Sequence, residues 1–258
     1  MKFDSSFFKQ AEKIIGSYFR SKQATLIAAN GNVESQFKDD KTIVTELDKA
    51  MELELKEHLE KLDHGIGFEG EEFGSSGDRT TFWLVDPIDG TENFVRGLPF
   101  FRNMAALIHE GQPVFSVVYR VTADELFVAT KGKGTFKNGA KLKVSSRPLE
   151  RLRLEVSCIY KDKTALPVLD ALAKQVEGLR TSDEFLYVVE GKLDGHLVYK
   201  SDTKPWDNAP RMLLMEETGA RVANIGSDSY DYTKGDWLAA SPAVFDQLVS
   251  IIQTTNQG

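Results

Sequence analysis

The apolar residues of this chain change period along its length, and that change limits the fold more than any other feature. Phe7, Phe8, Ala11, Ile14, Ile15, Tyr18 and Phe19 step by three and four, the spacing of one helix face, with Asp4 placed to cap it. A Gly31-Asn32 turn follows. A second helical stripe, Leu47, Met51, Leu55, Leu59 and Leu62, runs from Thr45 to Leu62, and Thr45-Glu46-Leu47-Asp48 has the order of a capping box at its start. The period then shortens. Phe82–Val85, Met104–Ile108, Val114–Val121 and Glu125–Ala129 are short, rich in β-branched and aromatic residues, and bounded by Gly, Pro or polar turns. Lys137-Asn138-Gly139-Ala140 predicts a hairpin turn before a strand over Lys141–Val144. Two helices followed by a mostly antiparallel sheet are therefore expected in the first half.

The second half returns to mixed structure. Helices are expected over Ala165–Val176, Asp183–Glu190 and Asp207–Glu217, the last ended by Gly219, with a strand over His196–Tyr199. The basic, proline-containing stretch Val144–Arg153 divides the chain into residues 1–145, an α+β half with the antiparallel sheet, and 146–258, an α/β half, within one compact unit. At 258 residues the chain buries enough apolar surface to need no staples, and its single cysteine, Cys158, excludes an intrachain disulfide. Its longest strictly apolar runs are about five residues, against roughly 20 for a membrane span. The N-terminus has no export-signal pattern, so a cytoplasmic protein without a membrane partner is expected. The net charge of −7 repels polyanions and argues against nucleic acid.

Candidate chemistry gathers at Phe82-Trp83-Leu84-Val85-Asp86-Pro87-Ile88-Asp89-Gly90-Thr91. An apolar strand is expected to end in Asp86; Pro87 holds Asp86 extended, and Asp89-Gly90 turns the chain before Thr91 opens a helix. Two carboxylates across a turn can share a hard cation, with the Ile88 carbonyl as a further oxygen ligand. Alternatively Asp89-Gly90 is only a turn and Asp86 only a cap. Glu69-Gly70-Glu71-Glu72, upstream, lies in a stretch with no regular period and reads equally as a solvated loop. Asp207 stands before a helix, where an N-cap needs no other explanation. The four histidines are scattered and no Cys or His pair has zinc spacing, so any metal should be oxygen-ligated, magnesium or manganese. Phosphate-loop, dinucleotide-turn and nucleophile-elbow motifs are missing.

Asp86-Pro87-Ile88-Asp89-Gly90-Thr91, with Gly70-Glu71-Glu72 and Val44–Asp48 upstream and Trp206-Asp207 downstream, resembles the inositol monophosphatase family of metal-dependent phosphatases. The likeness runs nearly end to end and includes Asn93-Phe94, Gly132-Lys133-Gly134 and Glu216–Ala220. The resemblance implies an α+β fold, a layered αβαβα sandwich, and hydrolysis of a small-molecule phosphate monoester using two or three Mg2+ ions, with Mn2+ as a substitute. It implies that Glu71, Asp86 and the Ile88 carbonyl hold the first metal, and Asp86, Asp89 and Asp207 the second. Glu71, Thr91 and Asp48 would orient and activate the attacking water, and the N–H groups of Gly90 and Thr91 would receive phosphate oxygens. Lithium sensitivity and a homodimer come with the same resemblance.

The departures fall on the substrate side. Asn208-Ala209-Pro210-Arg211 replaces small residues after Trp206-Asp207, with Pro210 expected in the helix's first turn. Val198, Tyr199 and Lys200 occupy a region where the family carries a substrate-gripping acid, and Arg180-Thr181-Ser182-Asp183 replaces a small-residue turn. Ser182, Lys200 and Glu72 are the candidate recognition residues, and Lys200, Lys204 and Arg180 could read a second anionic group, although each is also an ordinary surface residue. A non-catalytic, metal-binding regulatory or interaction protein on the same fold is the alternative from another class.

Overall fold

The computed structural model describes residues 3–39, 42–158, 163–182 and 184–256. The chain forms two compact units, Met1–Lys131 with Phe136–Ala140, and Gly132–Thr135 with Lys141–Gly258.

In the first unit, α1 (Ser5–Ala29) starts where Asp4 accepts the Phe7 N–H at 2.8 Å and runs well beyond the apolar stripe that predicts it. The hairpin β1 (Ser35–Phe37) and β2 (Ile43–Thr45) leads into α2 (Glu46–Glu60), whose N-terminus carries the expected capping box between Thr45 and Asp48. Next come β3 (Gly67–Gly70), β4 (Gly74–Ser76), β5 (Thr81–Asp89), the short α3 (Thr91–Val95), β6 (Arg102–His109), β7 (Gln112–Arg120), β8 (Glu125–Thr130), β9 (Gly134–Lys137) and β10 (Ala140–Lys141). They form one sheet in the order β10-β9-β8-β7-β6-β5-β3-β4. β5-β6-β7-β8 and the β3–β4 pair are antiparallel, as expected, whereas β3 runs parallel beside β5. Asn138 and Gly139 take φ 47° and 82° in the turn between β9 and β10, as a two-residue hairpin requires, but the last strand stops at Lys141 rather than Val144. Phe8, Ile15, Phe19 and Leu26 of α1 and Met51, Leu55 and Leu59 of α2 share one core with Trp83, Val85, Phe115 and Val117 of the sheet. That core clamps α2 and β5, the two elements that carry Asp48 and Asp86.

Glu69 and Gly70 belong to β3, where the sequence suggested an irregular loop. Two glycines and two acids around Phe68 give no visible alternation; the strand is made by its neighbour, because the apolar β5 supplies the pairing edge. β5 itself does not stop at Asp86 but continues through Asp89, with a register shift between those residues that absorbs Pro87.

The second unit contains β11 (Arg153–Ser157), α4 (Leu166–Ala173), β12 (Gly178–Arg180), α5 (Leu186–Val189), β13 (Gly195–Val198), α6 (Pro205–Glu217), β14 (Arg221–Asn224), β15 (Trp237–Ala240) and α7 (Pro242–Asn256). Its sheet runs β12-β11-β13-β15-β14, parallel at β12-β11-β13 and antiparallel beyond. Leu172, Val244, Phe245 and Leu248 of α4 and α7 pack with Leu154, Val156 and Leu197 of the sheet. The predicted helix from Asp183 shrinks to one turn, Leu186–Val189, and Asp183 lies outside the described residues. Helix α6 starts two residues before Asp207, so Pro210 sits in its second turn, not its first. There it supplies no N–H to the Trp206 carbonyl, the helix hydrogen bond a proline always deletes. Among the described residues no helix is long and apolar enough to cross a membrane.

Candidate metal centre and catalytic pair

Asp86 and Asp89 are brought together by the irregular end of β5. The two residues are 2% and 7% exposed, and a carboxylate oxygen of each lies within 4.8 Å of the other. Asn103 on β6 donates its Nδ2 to the Pro87 carbonyl at 2.6 Å and so fixes the bulge between them. Gly90 then turns the chain at φ 88°, a left-handed conformation that disfavours a side chain, and a Cβ there would stand 2.6 Å from the Phe100 carbonyl oxygen. The glycine required by the sequence motif is thus required by the protein's own backbone, whatever binds.

The parallel register decides where Glu71 goes. Gly70 pairs with Val85, and the Glu71 N–H reaches the Val85 carbonyl at 3.2 Å, which sets Glu71 beside Asp86 across the two strands. Glu52 of α2, 1% exposed, accepts the N–H groups of Glu72 at 2.8 Å and Phe73 at 2.9 Å and holds this turn. Burial raises the Glu52 pKa, opposed by those two N–H bonds. Lys38, just after β1, places its ammonium 2.6 Å from Glu71 and 3.0 Å from Glu72. Burial alone would lower the Lys38 pKa, but the hydrogen bonds and charge of Glu71 and Glu72 outweigh it and hold it raised. Glu71 therefore already presents its carboxylate to a cation, while the Glu72 side chain is only 4% exposed and turned to Lys38.

Asp48 works in two directions. Its Oδ2 accepts the Thr45 N–H at 2.8 Å as the capping-box acid, and its Oδ1 accepts from Thr91 Oγ1 at 3.2 Å. The same hydroxyl lies 2.8 Å from the Ile88 carbonyl. Asp48 is 1% exposed, and that burial pushes its carboxyl up to about 6 in spite of the Thr45 hydrogen bonds, which lower it. A buried carboxylate at this value keeps enough basicity to draw on the Thr91 proton near neutral pH.

Carboxylates, a carbonyl and a hydroxyl form an all-oxygen donor set, which suits a hard divalent cation of the magnesium type rather than zinc. Glu71 and Asp89 each also face a basic side chain, Glu71 that of Lys38. Asp89 is engaged by a residue that the sequence did not single out: Arg102, whose Nε lies 2.8 Å from Asp89 Oδ2 and whose side chain is 3% exposed. Lys38, Glu52, Asn103 and Arg102 all escaped sequence reading, because no local motif marks a residue that acts through strand register or a helix-to-turn contact.

In the second unit, Asp207 occupies the third position of α6, not the cap, and its Oδ2 accepts the Lys204 N–H at 2.8 Å. Arg211, one turn on, stands 4.0 Å from Asp207 Oδ1 with its guanidinium 5.1 Å from the Phe185 ring centroid. Ser182 gives both its N–H and its hydroxyl to buried Glu155, at 2.8 and 2.7 Å. Lys200 is exposed at φ 50°, and Arg180 is exposed at the end of edge strand β12.

The profile of the inositol monophosphatase family matches residues 1–257. Among curated relatives, a Caulobacter vibrioides protein named inositol-1-monophosphatase is 32% identical over 223 residues, 80% of this chain and 86% of that protein. The Nus factor SuhB of Pseudomonas aeruginosa is 31% identical over 231 residues, 84% of each. Among solved structures, the inositol monophosphatase (IMPase) of Thermotoga maritima superposes with a TM-score of 0.84 at 25% identity, covering 95% of this chain and 97% of that one. The fold class is accordingly α+β, a layered sandwich of the kind those enzymes have.

Proposed function

The chain belongs to the inositol monophosphatase family of phosphatases, and on that premise we propose that it is a magnesium-dependent phosphomonoesterase acting on a small phosphorylated metabolite. The observation that carries this reading is the meeting of two independent constructions at the end of β5: Glu71 set beside Asp86 by parallel register, and Thr91 bonded to buried Asp48. A structural cation would need the first; only chemistry needs the second.

Glu71, Asp86 and the Ile88 carbonyl are proposed to hold the first cation, and Asp86, Asp89 and Asp207 the second. Such ions supply positive charge for the phosphoryl oxygens and acidify a bound water. The residues do the rest. Thr91 Oγ1 carries one proton; when it donates to Asp48 Oδ1, a lone pair remains to accept from the attacking water, which Glu71 helps to orient. The N–H groups of Gly90 and Thr91 receive phosphate oxygens. Charge and alignment suffice for phosphoryl transfer, so no covalent nucleophile is needed. Inositol monophosphates, sugar phosphates and nucleotide 3′-phosphates are the candidate substrate classes, with exposed Lys200 as the recognition residue; Ser182 is taken up by Glu155 and Glu72 by Lys38, which removes them from that role. A cytoplasmic homodimer inhibited by lithium belongs to the same reading.

The name of the Pseudomonas relative favours a second reading, an interaction protein on the same fold. The two readings separate in one experiment. A panel of phosphate monoesters assayed for released phosphate should show turnover with magnesium, none with chelator, and none with Asp86→Asn. Activity that persists in chelator, or undiminished in Asp86→Asn, removes the metal mechanism; a chain that binds magnesium but turns over no member of the panel is the interaction protein.

A further inference from the structure

Strand register lines up four charged side chains across four neighbouring strands. Asp89 on β5 pairs with Arg102 on β6, Arg102 with Arg120 on β7, and Arg120 with Glu125 on β8. Directly opposed residues share a face of the sheet, so the row reads acid, base, base, acid. The two arginines face one another and repel, and each turns to the acid on its outer side: Arg102 to Asp89 at 2.8 Å, Arg120 to Glu125, which Lys137 also reaches at 2.9 Å. Arg120 lies over Phe127, with its guanidinium 5.2 Å from the ring centroid. Arg102 is 3% exposed, and its Nη2 donates to the Phe100 carbonyl at 3.3 Å, so the guanidinium is held inside the protein. A buried guanidinium held in this way keeps its counter-ion.

We propose that Arg102 is a built-in cation that competes for Asp89 and makes any divalent ion bound at Asp86 and Asp89 the weakly held one of the centre. The inference rests on the metal-phosphatase reading and deepens it. A metal ligated by Asp89 would share that carboxylate with a buried guanidinium, and it would meet the guanidinium's own positive charge at short range. The position at Glu71, Asp86 and Ile88 also meets a cation, Lys38 at 2.6 Å from Glu71, but the Lys38 side chain is 23% exposed and can swing into solvent when a metal arrives, whereas that of Arg102 is 3% exposed. Arg102 is in this sense a positioning residue: it acts on the centre through Asp89.

Manganese binding to the full chain, followed by the electron paramagnetic resonance of unbound Mn2+, tests this without turnover. The unmodified protein should show one tight class of site and a weaker second class. In Arg102→Met and Arg102→Gln the second class should tighten by at least about tenfold, with the first changed by less than about threefold. Arg102→Lys, which keeps a charge, should leave the second class weak. Two classes of equal affinity in the unmodified protein, or a second class that does not tighten in a folded Arg102→Met or Arg102→Gln protein, overturns the proposal. The first of these needs no variant, and circular dichroism melting establishes which variants are folded. Asp86→Asn separates the two levels: if it binds Mn2+ as the unmodified protein does, the metal-centre reading itself falls, and if it loses both classes, that reading stands and Arg102 is judged on the second class alone.

Discussion

Asp48 shows how one side chain can serve folding and chemistry at once. The capping box needs a carboxylate at the third position of α2, and the sequence Thr45-Glu46-Leu47-Asp48 announces it. Its second oxygen, turned to Thr91, is announced by nothing local, since the partners are 43 residues apart. Burial raises the Asp48 pKa from 3.8 to about 6 in the metal-free protein. The sign follows: a carboxyl whose folded pKa lies above its unfolded one adds stability at low pH and loses it as pH rises through about 6. In chelator, Asp48 should therefore cost the fold on the order of 3 kcal/mol more at pH 7 than near pH 3, with most of the change between pH 4 and 6. Denaturation of the unmodified protein and of Asp48→Asn at matched pH checks this; the pH-dependent difference between them should vanish below pH 4. Thr91→Ala should lower turnover strongly while leaving Mn2+ binding nearly intact, and unchanged turnover would remove Thr91 from water activation.

At the scale of elements, the turn after β3 is where the sequence misleads most and structure explains most. Glu69-Gly70-Glu71-Glu72 looks like a charged loop, yet β3 pairs with β5 and Glu52 of α2 gathers the following N–H groups. Gly70 is there because the Glu52 carboxylate passes over it: an added Cβ would stand 2.0 Å from Glu52 Cδ. Gly70→Ala should expel Glu52 from its two N–H partners, destabilise the first unit by about 2 to 4 kcal/mol, and raise the magnesium concentration for half-maximal turnover. Urea denaturation and a magnesium titration measure the two effects; a variant that loses stability but keeps its magnesium dependence would show that Glu52 holds the strand without positioning Glu71. The helices needed no such context. Their stripes and caps are local, which is why α1, α2 and α6 were legible from spacing alone, except that Pro205 moved the start of α6 and left Asp207 inside it.

For the whole molecule, a net charge of −7 at first argues against an anionic substrate. On the proposed metal reading, Glu71, Asp86 and Asp89 would carry part of that charge to divalent cations that neutralise it, so the acidic balance and a phosphate substrate are compatible. Magnesium should stabilise the native chain by about 2.7 kcal/mol at a concentration one hundred times its dissociation constant, a rise of several degrees in melting temperature, and Asp86→Asn should not respond. An equal response in that variant would place the stabilising ion elsewhere. The sequence by itself determined α1 and α2 with their caps and the antiparallel run of the first sheet, and its family motif pointed to Asp48 and Thr91, which the structure joins by a hydrogen bond, because these depend on residues close in the chain or on a motif short enough to be recognised. Only the tertiary structure decided that β3 is a strand, that Glu52 and Lys38 hold Glu71 and Glu72, and that Arg102 faces Asp89. Each of those is a pairing between segments, and charge or hydrogen-bonding capacity read along the chain does not say which distant partner a buried group will be folded against.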